Sequence, residues 1–282
     1  MNQLGANATG TTAHPMPLSV AHLSELEVPP LKLIEYAARA GFASIGLRTN
    51  PATPGGIAYP LARKAEQAEL RRRIAATGVS VLYIEMVGLS EATCITDYRA
   101  MLETGAAIGA SRLAVAGDSA NFQAVAERMA EMCDLARPYG IAVDIEFMPF
   151  RPVKTFADAV EVVKRADRPN AHVLVDSLHV FRSGSSLDDI VKVHPAILGT
   201  FQICDAPREP PPAAELATEA RTRRMLPGHG DLPLWSLIDA LPADIPVGVE
   251  LPIAGQFPHL DAPARMQLMV RSTRDFYASR RH

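Results

Sequence analysis

IAVDIEFMPFRPVKTFADAVEVVKRADRPNAHVLVD, residues 141–176, decides the fold. It opens on an apolar, β-branched run, IAVDIEF, and closes on another, AHVLVD. Between them, residues 155–167 carry apolar side chains at helical spacing. Runs this short and this apolar suit strands covered on both faces, as in a parallel sheet. The unit is strand, helix, strand, with the right-handed crossover that such units adopt. The first run delivers Glu146 near its end, and the second ends on Asp176.

The pattern extends in both directions. Upstream lie PLSVAH ending at His22, FASIGL leading to Arg48, VSVLYIEM, and RLAVAG. Downstream lie ILGTFQI and IPVGVEL. Helical segments alternate with them. Pro29-Pro30 opens one that Gly41 closes, and LARKAEQAELRRRIAATG ends at Gly78. Others are expected at 94–109, 120–138, 186–194, 232–240 and 260–278. Alternating units of roughly 30 residues, eight times over, fit a single (β/α)8 TIM barrel of the α/β class. The rival, a doubly wound nucleotide fold, should show GxGxxG after the first strand or a GxxxxGK[ST] loop. Neither occurs.

Composition narrows the function classes. The chain has 282 residues, 48% of them apolar, and a formal net charge of −3. That excludes a disordered chain and leaves no basic footprint for nucleic acid or an anionic membrane. No uninterrupted apolar stretch approaches the ~18 residues of a membrane span. Cys94, Cys133 and Cys204 are scattered and form no CxxC, which argues for a reducing compartment and against a thiolate zinc site. Residues 1–14 are small and polar, without the basic start and apolar run of a signal peptide. They read as a flexible tail on a cytoplasmic barrel of residues 15–282.

In a barrel of this kind, chemistry sits where the strands end. Four consecutive runs deliver Glu146, Asp176, Gln202 and Glu250 at that end. Three carboxylates converging on a low-dielectric mouth need a cation. A divalent metal would supply it, and all-oxygen ligation favours Mn2+ or Mg2+. The alternative pairs each carboxylate with Lys or Arg, but the apolar runs hold almost none.

Glu146, Asp176 with His179, Gln202 with Asp205 and Arg208, and Glu250 together resemble the sugar phosphate isomerase/epimerase superfamily, the xylose-isomerase-like TIM barrels, which also include the endonuclease-IV-like fold. The segments VDSLHVFRSG, FQICDAPR and PGHGDLPL carry the resemblance, which spans residues 17–275. It implies that Glu146, Asp176, Gln202 and Glu250 bind one divalent ion, with Co2+ a further possibility. It implies that Glu146 and Glu250 act as acid and base, and that His179 and Arg208 contact substrate oxygens. Two departures stand out. The Gln202 position is usually histidine in the epimerases, whereas glutamine occurs in some relatives that dehydrate 3-dehydroshikimate. The residues after Glu146, FMPF, lack the usual polar follow-on. A DNA-repair site of the endonuclease IV kind needs many histidines at strand ends, and they are not there.

The expected activity is that of a metal-dependent isomerase/epimerase on a sugar-like polyhydroxy keto compound. A glutamate removes the proton next to the carbonyl, and the metal and Arg208 stabilise the enediolate. A lyase, dehydrating 3-dehydroshikimate or an inosose, would share that first step and use His179 or another acid for the leaving hydroxyl. A non-catalytic small-molecule-binding barrel should have lost one glutamate, and both are present.

Other residues fall near the same rim. His22, Arg48 and Glu85 are candidate substrate-binding residues, although Arg48 and Glu85 could equally pair with each other. Asp118 and His229 are weaker candidates; His172 and His194 fall at the wrong end, and Cys204 reads as packing. The long connection 204–230 reads as a lid. Its Arg221, Arg223 and Arg224 form either a solvated face or a cover for an anionic substrate. Residues 260–282, with Phe276 and Tyr277, offer a surface for a homo-oligomer.

Overall fold

The computed structural model describes residues 16–280. The expected tail, residues 1–14, lies outside them. Eight strands close into a barrel in sequence order: β1 Leu18–Val20, β2 Ser44–Arg48, β3 Ser80–Leu89, β4 Arg112–Gly117, β5 Ala142–Glu146, β6 Ala171–Asp176, β7 Leu198–Ile203 and β8 Val247–Val249. All neighbours are parallel, and β1 pairs with β8 to close the ring. Around them run α1 Pro30–Ala40, α2 Lys64–Thr77, α3 Arg99–Ala107, α4 Phe122–Ala136, α5 Phe156–Ala166, α6 Ser177–Arg182, α7 Leu187–Lys192, α8 Leu216–Thr222, α9 Leu234–Asp239 and α10 Ala262–Ala278.

Local chemistry explains the element ends. Pro30 starts α1, and Gly41 ends it in the left-handed conformation at φ 94°. Thr155 and Asp158 form a reciprocal capping box that starts α5. Asp176 closes β6 and caps α6 at once, its side chain accepting from the His179 amide. The sequence pattern did not announce α6, because it follows β6 without a loop.

Three apolar clusters result, one of them a small group of Met86, Ala116 and Met148. The large one lies between strands and helices and includes Leu33, Ile45, Leu113, Val143, Phe156 and Met266. A small one fills the barrel interior: Ala21, Tyr83, Ala114 and Leu174. The Tyr83 ring lies over Gly46, its register partner on neighbouring β2, where a Cβ would sit 2.3 Å from the ring. Only glycine leaves that room.

Phe276 and Tyr277, expected as an association surface, are half-buried and pack on Trp235 within the chain. The Phe276 ring stacks on it at 4.5 Å, and Tyr277 meets it edge-on at 5.8 Å. No helix among the described residues is long and apolar enough to cross a membrane.

Candidate active site

Parallel pairing sets the rim. Asp176 of β6 lies beside Gln202 of β7, and Glu250 follows directly after β8. Glu146 ends β5, three strands round the ring from Glu250. All four side chains are buried. Glu146 and Glu250 line one pocket, together with Arg48, His179, Phe150 and Arg224. A larger groove between α5 and α7 lies on the outside of the barrel, away from the strand ends.

The unexpected member is Arg224. Its guanidinium is 1% exposed and holds two rim carboxylates at once. Nη1 donates to Asp176 Oδ2 at 2.6 Å, and Nη2 lies 2.8 Å from Glu250 Oε2. Its Nε donates to the Ala220 carbonyl. The cation comes from the long connection and not from the apolar runs, so the strand sequences alone conceal it. The available signal was the PGHG turn just after it. Asp205 accepts hydrogen bonds from the amides of Ala206, Gly228, Gly230 and Leu232. That pins the turn beneath the end of β7 and brings the residues before it back to the mouth. Gly230 fits because a Cβ there would meet the Ala206 carbonyl at 2.4 Å.

Glu146 has no arginine or lysine within salt-bridge distance among the described residues; His179 Nε2 lies 3.5 Å from its Oε1. Ligand atoms of Glu146, Asp176 and His179 fall within 4.8 Å of one another. Gln202 Nε2 donates to the Tyr83 hydroxyl at 3.1 Å and reaches Glu250 Oε1 at 3.4 Å. Its Oε1 is buried with no hydrogen-bond partner. A buried acceptor left unpaired is unfavourable. As the side chains stand, Glu146, Asp176 and His179 are the set that could hold one divalent cation, while Glu250 lies outside it and, like Asp176, pairs with Arg224.

The charges follow from burial. Burial pushes the Glu146 carboxyl well above its ordinary range, and Glu250 and Asp176 push it further. Burial lifts Glu250 to about 7 against the pull of Arg224. Burial also works against charge on Asp176, but Arg224 and His179 hold it below its ordinary value. Burial lowers His179 to about 4, with Asp176 opposing, so its ring is neutral at pH 7.

Other expectations need correction. His22 is a structural residue outside the pocket. Its Nε2 donates to the Val28 carbonyl and its Nδ1 accepts from the Arg48 amide, while the ring stacks on Tyr59 at 5.1 Å. Arg48 does line the pocket, but Glu85 sits behind it, accepting from Arg48 Nε at 3.0 Å. Arg208 is exposed and away from the pocket. The chain leaves the barrel through Pro207 before it reaches that side chain, and Arg224 arrives at the mouth instead. His229 is exposed on its turn, and Asp118 pairs with Arg151.

An eight-stranded parallel barrel with three acids and an amide on four consecutive strand ends defines a class, and comparison with known families agrees. Residues 34–272 match the xylose isomerase-like TIM barrel family, and the chain belongs to it. Among its relatives, an inosose isomerase of Bacillus licheniformis is 32% identical over 117 residues, 41% of this chain and 40% of that one. An inosose isomerase of Bacillus subtilis is 27% identical over 157 residues, 52% of this chain and 55% of its own. The chain thus spans about half or less of the length of the curated relatives it matches. Among solved structures, the IolI protein with a binding zinc atom superposes with a TM-score of 0.79 at 21% identity, over 93% of this chain and 98% of that one. A probable 3-DHS dehydratase, AsbF of Bacillus anthracis, gives 0.70 at 15% identity, over 92% and 98%. At such identities these two show the shared fold.

Proposed function

We propose that the chain is a divalent-metal-dependent isomerase or epimerase of a small polyhydroxy keto compound of the inosose kind. One observation carries the reading: Glu146 and Glu250, both buried, line the same pocket from strands three apart in the ring. Two carboxyls placed on one pocket from different strands are suited to taking and returning a proton at carbon. One glutamate takes the proton next to the carbonyl, and the other returns one from the far side. Arg48 and Arg224 present guanidinium donors to substrate oxygens that gain charge. Glu146, Asp176, Gln202 and Glu250 would hold the metal, which would polarise the carbonyl and make that proton more acidic. An all-oxygen set suits Mn2+ or Mg2+. The inosose isomerase relatives and the zinc of the IolI structure support the substrate class and the metal.

His179 bears on the choice between isomerase and lyase. A ring neutral at pH 7 hydrogen-bonds to substrate but is a poor proton source for a leaving hydroxyl. That favours proton return over loss of water. The test is metal content of the purified protein, thermal shift on EDTA treatment and Mn2+ readdition, and proton exchange of an inosose in D2O followed by NMR. About one equivalent of metal and deuterium at the carbon next to the carbonyl are expected. Absence of both metal binding and exchange overturns the reading; a dehydrated product would reassign it to the lyases.

A further inference from the structure

Four arginines line the pocket: Arg48, Arg151, Arg221 and Arg224. Three are neutralised by the protein itself. Arg48 pairs with Glu85, Arg151 with Asp118, and Arg224 with Asp176 and Glu250. Arg221, in the last turn of α8, makes no ion pair or side-chain hydrogen bond among the described residues. Both Arg221 and Arg223, two residues on, are exposed, but Arg223 pairs with Glu215 at 2.7 Å and does not line the pocket. The guanidinium of Arg221 stands over the Phe150 ring, 5.9 Å from its centre. The edge of Phe150 meets His179 at 5.6 Å. One aromatic ring therefore separates the unpaired cation from the acid–base centre.

The cation is delivered by an anchored element. Glu219, on the same helix, accepts from Arg182 Nε and Nη2, both at 2.8 Å, in a buried pair. Arg182 Nη2 also donates to the Pro207 carbonyl at the start of the connection. So α8 is tied to α6, and Arg221 is held at the rim.

We infer that Arg221 is an anion-recognition residue, and that the natural substrate carries a carboxylate or phosphate on the end remote from its reacting carbons. The planar fork of a guanidinium accepts either group through paired, charge-assisted hydrogen bonds. A neutral polyol would leave this guanidinium with water as its partner and would take no charge-assisted bond from it. The inference rests on the pocket being a small-molecule site, as proposed above, and it moves the substrate from the neutral inososes to polyhydroxy keto compounds that also carry an acidic group.

The test uses calorimetric titration of the whole chain with D-glucuronate, D-glucose 6-phosphate and D-glucose, in wild type, Arg221→Gln and Arg223→Gln. Wild type should bind one of the two anions at least roughly tenfold more tightly than glucose, the size expected for charge-assisted hydrogen bonds. Arg221→Gln should erase that preference and leave glucose unchanged, while Arg223→Gln keeps it. The anion that wins distinguishes carboxylate from phosphate. Equal binding of glucose and the anions, no binding of either anion, or a preference that survives Arg221→Gln overturns the inference. Metal content and D2O exchange are read separately, so the two proposals fail independently.

Discussion

Arg224 carries two acids on one guanidinium, and that makes it the residue on which the rim depends. With Met in its place, Asp176 and Glu250 would stay buried without their partner. Breaking a buried pair in this way costs about 3–5 kcal/mol. Urea denaturation of Arg224→Met in EDTA should show a loss of that order, and a change below ~1 kcal/mol would mean that the carboxylates are neutralised by other means. Glu250→Gln behaves differently, since its amide oxygen still accepts from Arg224. Its Tm should hold, while turnover on a found substrate falls by ~10²–10⁴, the usual worth of a positioned acid or base. Full activity in this variant would remove Glu250 from the chemistry. Glu146, Asp176, Gln202 and Glu250 were legible as rim residues because each falls at the end of an apolar run and barrel strands present that end to the pocket. Arg224 was not, because its place depends on the path of residues 204–230, which no periodicity encodes. Arg208 misled for the same reason: its spacing from Gln202 suggested the mouth, but an intervening helix moved that role to a later arginine.

At the scale of elements, the long connection 204–230 is held from both ends. Asp205 fixes the PGHG turn through four backbone amides, and Arg182 fixes α8 through Glu219. Each amide left unpaired in a buried setting costs about 1–3 kcal/mol. Asp205→Ala should therefore lower Tm and open the connection to protease before the barrel melts, with cleavage mapped to 207–230. Uniform resistance there would show that α8 and the turn hold without Asp205. The strands and most helices were legible from spacing and from Pro and Gly punctuation. The missed α6 shows the limit: Asp176 ends a strand and caps a helix in one residue, leaving no turn signature between them.

The whole molecule concentrates raised carboxyls in one mouth, so its stability without metal should depend on pH in a defined direction. The folded pKa of Glu250 is lifted to about 7, and that of Glu146 is lifted too. A raised carboxyl contributes stability below its unfolded value and loses it as pH rises through the folded value. His179 acts in the opposite sense. Its pKa falls to about 4, so it removes stability as pH drops below its unfolded value of 6.5. Above 6.5 the histidine is neutral in both states, and the glutamates act alone. Asp176, lowered, is ionised in both states across this range. Between pH ~6.5 and ~8, then, Tm in EDTA should fall as pH rises. Saturating Mn2+ should abolish the fall, because a cation bound to the ionised carboxylates removes the penalty of charging them. A Tm that stays flat or climbs in EDTA would mean that Arg224 and its neighbours already balance the charge. The same slope with and without Mn2+ would place the metal elsewhere, and with it the chemistry assigned to these strand ends.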